Sequence, residues 1–240
     1  MIINWGRVLI SVVILASITL LIAWLALQWY RGNSDSNITI SRYLNNPQAN
    51  SHLETSAFTH CPDAPFIVPS EGFIGLLWRD SAAPYTALRR HTGIDIFGGR
   101  TEGTVPIVAV YDGWLTRLED WQSTVIIRHD DPLQAGRTIW TYYTHMALRN
   151  GGESFIPLDF PQGTYNMPIT QGTIIGYQGA YSPQFPVATH LHMSIVTSNP
   201  DGSFRNEAIL ENTLDASPYF GMDLNADTND ERPVQCIEIE

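Results

Sequence analysis

Lysine is absent from this chain. All 13 cationic side chains are arginine, set against 24 carboxylates for a formal net charge of −11. That balance excludes the clustered basic patch from which phosphate binding draws its affinity, and with it nucleic acid as a partner. No H-E-x-x-H occurs, so a helix-borne zinc site with a built-in glutamate base is excluded. No segment repeats, which excludes solenoids and propellers. Cysteine is scarce, with only Cys61 and Cys236, and charged residues make up only 15% of the chain. With 44% apolar residues in 240, the chain is too apolar to be disordered throughout and long enough for one substantial domain with appendages.

One long uncharged run is present. Residues 8–27, VLISVVILASITLLIAWLAL, would rise about 30 Å as a helix, the hydrocarbon thickness of a bilayer. The competing reading is a cleaved signal peptide, but the run exceeds the roughly 7–15 residues of such a core and no A-x-A-like site follows. Residues 1–30 are therefore expected to be a single transmembrane anchor, with Trp24, Trp29 and Tyr30 in an aromatic belt. Arg7 and Arg31 flank the span one to a side, so charge leaves its orientation open. Residues 31–60, rich in Asn and Ser, read as a polar tether, and 201–240 as an acidic, largely irregular C-terminal extension. The two cysteines bracket the globular part. A disulfide joining its ends would place the domain outside the cytoplasm, and two unpaired buried thiols are the alternative.

Between residues 61 and 200 the apolar runs are short and cut by Gly, Pro and Asn: FIGLLW, GIDIF, VPIVAVYDGWLTRL, STVIIRH, TIWTYYTHM, GTIIGYQG and HLHMSIV. They are rich in Val, Ile, Thr, Tyr and Trp and sustain no helical period, so the domain is expected to be mostly β, an antiparallel sheet with long loops. Segments 147–168 and 180–188 are the most individual and are expected to shape any cleft.

Three short patterns carry chemistry. In VATHLHMSIV, alternation sends Leu191, Met193 and Ile195 to one face and His190, His192 and Ser194 to the other. With seven histidines, one H-x-H arises by chance about 0.2 times, so the pair alone also fits an ordinary wet surface. In RRHTGIDIFG, His91 and Asp95 stand four apart at a strand entrance, with Asp95 facing away from Ile94 and Ile96. In TIWTYYTHM, Tyr143 and His145 are expected to share a strand face. Each pattern alone also suits a hydrogen-bonded structural histidine.

Together, in this order, they resemble the lysostaphin/LytM-type zinc endopeptidases that cut peptidoglycan. The resemblance runs from about Phe73 to Ile195, through WR at 78–79, HTGIDI at 91–96, IVAVYDGWLTR at 107–117, VIIRH at 125–129, YTHM at 143–146, ITQGTIIGYQG at 169–179 and HLHMSI at 190–195. It implies three zinc ligands, His91, Asp95 and His192, and two further active-site histidines, His145 and His190. GAYSPQFPVAT before the H-x-H departs from the family's Gly- and Ser-rich turn, and TEGTVPIVAV carries one extra residue; neither touches a ligand. Two imidazoles and one carboxylate would leave a fourth zinc position open for water, with a histidine, His190 above all, taking the proton and Tyr85 donating to the oxyanion. The resulting expectation is a single-pass membrane zinc endopeptidase, its catalytic domain extracytoplasmic, acting on peptidoglycan. A non-catalytic module that binds wall or activates a partner hydrolase is the alternative, and protein partners are unknown.

Overall fold

The computed structural model describes residues 5–32, 35–184 and 186–238. Three helices are present, α1 (Trp5–Gly32), α2 (Asp35–Asn45) and α3 (Ser217–Phe220). The strands are β1 (Glu54–Thr55), β2 (Gly72–Leu76), β3 (Ile94–Phe97), β4 (Pro106–Val108), β5 (Gly113–Thr116), β6 (Val125–Asp130), β7 (Thr138–Thr144), β8 (Met167–Ile169), β9 (Ile174–Tyr177), β10 (Leu191–Thr197) and β11 (Thr213–Leu214). The expected antiparallel β architecture is present. Eight strands run in the order β1-β2-β3-β10-β7-β6-β5-β8, with β11 also on β10, and β4 and β9 form a separate pair.

The alternation read in β10 builds the core. Leu191, Met193 and Ile195 are buried with Ile94 and Ile96 of β3, Ile127 of β6 and Tyr143 of β7, and β4 and β9 cover them through Ile107 and Ile175. The opposite face is not the wet surface that alternation alone permits. At its far end Val196 packs with Ile126 and Trp140 under Phe204, so only the end carrying the histidines opens onto a cleft.

Within 31–60, the described residues from Asp35 onward are not a free tether. Composition hid an amphipathic helix: Ile40, Tyr43 and Leu44 of α2 pack with Leu53 against Phe73 and Phe97, and Tyr43 is fully buried and donates to Glu54. Burying that ring offsets the entropy of ordering the segment by about 2 kcal/mol. The C-terminal extension also belongs to the core, through Tyr219, Phe220, Met222, Leu224 and Val234. Cys61 and Cys236 are bridged and tie its end to the start of the domain.

The helix α1 is continuous over 28 residues. Among the described residues, however, no helix is long and apolar enough to cross a membrane.

Candidate active site

Register brings the first residues together. On the central strand β10, His192 stands opposite Asp95 of β3 on one side and Thr144 of β7 on the other. Directly paired residues keep their Cβ atoms about 5 Å apart, so an imidazole and a carboxylate there must meet. His91 arrives from the bend before β3, which passes close to β10: a Cβ on Gly93 would lie 2.2 Å from the Met193 carbonyl oxygen, so only glycine allows the approach.

Three candidate ligand atoms converge. His91 Nε2 lies 3.1 Å from Asp95 Oδ1 and 2.9 Å from His192 Nδ1, and His192 Nδ1 lies 2.8 Å from Asp95 Oδ1. These are slightly inside the ~3.3 Å edge of a tetrahedron with bonds of about 2.0–2.1 Å. The far nitrogens are fixed by the protein. His91 Nδ1 donates to the Leu77 carbonyl at 2.9 Å, and His192 Nε2 is hydrogen-bonded to Ser194 Oγ at 3.0 Å, which turns the other nitrogen of each ring toward Asp95. Burial opposes charge on Asp95, yet His91 and His190 hold its carboxyl well below the usual carboxylate range. Two imidazoles and one carboxylate, buried and facing one point, fit a zinc ion.

The other two histidines flank this cluster. His190 Nδ1 donates to the Ala188 carbonyl at 2.7 Å, and His145 Nδ1 to the Tyr181 carbonyl at 2.7 Å, leaving Nε2 of each ring as an acceptor. Their ring centroids lie 4.5 Å apart, and His190 Nε2 is 3.6 Å from Asp95 Oδ2, the oxygen outside the cluster. Burial holds His145 down to about 3, with His190 beside it adding to the effect. His190 is lowered by burial against the pull of Asp95.

One expectation fails here. Tyr143 and His145 do not share a face: Tyr143 is buried in the core and accepts a hydrogen bond from the Val110 amide, whereas His145 opens onto the cleft. The cause is the backbone at His145, whose φ of 73° ends the strand and breaks its alternation. Tyr142 and Thr144 are the β7 residues on the cluster's side, the Tyr142 ring edge-on to His192 at 6.1 Å.

The ring of Tyr85 lies 4.7 Å from that of His91; burial, Asp95 and Glu207 raise its phenol. The cleft has a volume of about 580 Å³. Tyr181, Pro183 and Val187 line it, as expected of segment 180–188, in which Phe185 lies outside the described residues. Segment 147–168 supplies none of the lining residues. It is pinned elsewhere by Arg117, whose guanidinium donates to the Phe160 carbonyl and to Ser154. Sequence reasoning missed Tyr142, Thr92 and Glu207. Strand alternation could have found Tyr142, but nothing in the sequence marks Glu207.

No protein-family model and no curated protein matches the chain. Several solved structures are similar. The catalytic domain of the antimicrobial peptidase lysostaphin from Staphylococcus simulans is 19% identical with a TM-score of 0.41, the match covering 61% of this chain and 90% of that one. The catalytic domain of the prophage-encoded M23 protein EnpA from Enterococcus faecalis is 22% identical with a TM-score of 0.35, covering 63% and 96%. A zinc-containing peptidase from Vibrio cholerae is 14% identical with a TM-score of 0.35, covering 65% and 40%. The chemistry of the site is read from its own atoms.

Proposed function

We propose that this chain is a membrane-anchored zinc endopeptidase that hydrolyses peptide bonds of cell-wall peptidoglycan on the extracytoplasmic side. The observation that carries the reading is the convergence of His91 Nε2, Asp95 Oδ1 and His192 Nδ1 to within 2.8–3.1 Å, with two further imidazoles alongside. His91, Asp95 and His192 would hold the zinc, which when bound supplies Lewis-acid activation of the scissile carbonyl and of water.

The chain's own residues do the rest. His190, with Nε2 free and the outer oxygen of Asp95 beside it, accepts the proton as water adds to the carbonyl carbon, and returns it to the leaving nitrogen as the C–N bond breaks. His145, fixed by the Tyr181 carbonyl, orients the water, and the Tyr85 hydroxyl donates to the carbonyl oxygen. The non-catalytic alternative would be favoured by a lost ligand, and this chain retains all three.

Anchoring is supported by α1, whose described side chains from Val12 to Leu27 are all exposed and mostly apolar. The Cys61–Cys236 disulfide supports an oxidising compartment. The test is mass spectrometry of purified peptidoglycan after incubation with the zinc-loaded chain. Cleaved stem or bridge peptides are the expected result. Intact wall with bound zinc and cleavage of protein substrates instead would move the substrate, and an intact wall with no zinc bound would favour the module.

A further inference from the structure

Two carboxylates line the cleft without a part in the hydrolytic chemistry, the exposed Asp120 and the half-buried Glu207. Glu207 comes from the turn between β10 and the short 3-10 helix Leu210–Asn212, outside the three chemical motifs. It is half-buried in the wall beside the ligand cluster. Thr92, next to His91 in the chain, donates to Glu207 Oε2 at 3.3 Å. The phenols of Tyr85 and Tyr142 both feel its negative charge.

Every polar partner of Glu207 is neutral. Among the described residues no ion pair includes it: Arg205, two residues away, donates to Thr197, Arg90 is paired with Asp227, and Arg89 stands exposed on the cleft rim without pairing with Glu207. A carboxylate withdrawn partly from water and held by a hydroxyl donor lacks a counterion. It faces a cleft large enough for a peptide, close to the atoms that would do the cutting. In such a partly dehydrated setting a cation is attracted more strongly than in water, and orientation is fixed by few polar groups.

We propose that Glu207 binds a cationic group of the substrate, a primary ammonium carried by a residue near the scissile bond. The proposal rests on the endopeptidase reading and narrows its substrate to amine-bearing peptides. Thr92 is then a positioning residue that aims the carboxylate.

The test compares one synthetic wall-type peptide with a free side-chain amine and the same peptide N-acetylated, using the full zinc-loaded chain. Wild type is expected to favour the free amine by tenfold or more in kcat/KM, mostly through KM. Glu207→Gln should bring the ratio near one with zinc content unchanged, and Glu207→Asp should restore part of it. Equal rates on both peptides in wild type, or a Glu207→Gln variant that loses both rates in proportion, would overturn the proposal. If wild type cuts neither peptide, the endopeptidase reading fails, and calorimetric binding still decides this one: tighter binding of the free amine, lost in Glu207→Gln, upholds it, and equal binding overturns it.

Discussion

The ring of Phe97 lies stacked on that of His190, with 5.0 Å between centroids and 19° between planes. The same Phe97 packs under Tyr43 and Ile40 of α2, and Ala188, whose carbonyl fixes His190 Nδ1, packs against that cluster. The helix α2 thus supports the residue assigned to proton transfer. Phe97→Ala should lower kcat by about tenfold or more while leaving zinc bound, because a small misplacement of a catalytic group is costly. Kinetics and metal content on the same sample check this, and an unchanged kcat in a folded variant would remove Phe97 from the support.

Gly93 permits the approach of β3 to β10. Gly93→Ala should push the strands apart, separate Asp95 from His192 and weaken zinc binding by about 10–100-fold, the loss expected when ligand orientation is disturbed. A competition titration with a chelator measures it; wild-type affinity would show that the strands can yield without moving the ligands.

The Cys61–Cys236 bridge closes a loop with a sequence separation of 175 residues. Replacing both by serine should cost about 2–5 kcal/mol, or roughly 4–20 °C in melting temperature for a domain of this size. Calorimetry of the variant and of the reduced wild type should agree. An unchanged melting temperature in both would mean that the bridge does not stabilise the fold.

His129 is buried between the Asp112 carbonyl, to which Nδ1 donates at 2.7 Å, and Thr141 Oγ1 at 2.8 Å. Burial holds it down to about 4. Its folded value is below the unfolded ~6.5, so the unfolded chain binds the extra proton. The contribution is complete above pH ~6.5 and is lost as pH falls toward 4, at most about 3 kcal/mol. Melting temperature should therefore fall less steeply between pH 7 and 4.5 in His129→Gln than in wild type. Parallel curves would show that His129 does not titrate in that window.

Much of the site was legible because strand alternation and register are local properties. The spacing of His190 and His192 and the placement of Asp95 opposite Ile94 and Ile96 follow from a period of two. The face of His145, expected to be shared with Tyr143, escaped because a single positive φ, invisible in T-Y-Y-T-H, redirects its ring. Residues 31–60 escaped because Ile40, Tyr43 and Leu44 are diluted by Asn and Ser, and their burial depends on Phe73 and Phe97 far along the chain. The acidic ending concealed Tyr219, Phe220 and Leu224 in the same way, although Cys236 pointed back to the start of the domain. Glu207 had no local signature at all, because only tertiary folding carries its turn to Thr92.

The central claim assigns His192 to the metal and His190 to the proton, although only Leu191 separates them. The most direct measurement takes His192→Ala and His190→Ala in the full chain, with zinc content and wall-digesting rate determined on the same samples. His192→Ala should lose both zinc and activity. His190→Ala should keep about one zinc per chain while kcat falls about 10²-fold. Loss of zinc in His190→Ala together with retention in His192→Ala would contradict the account.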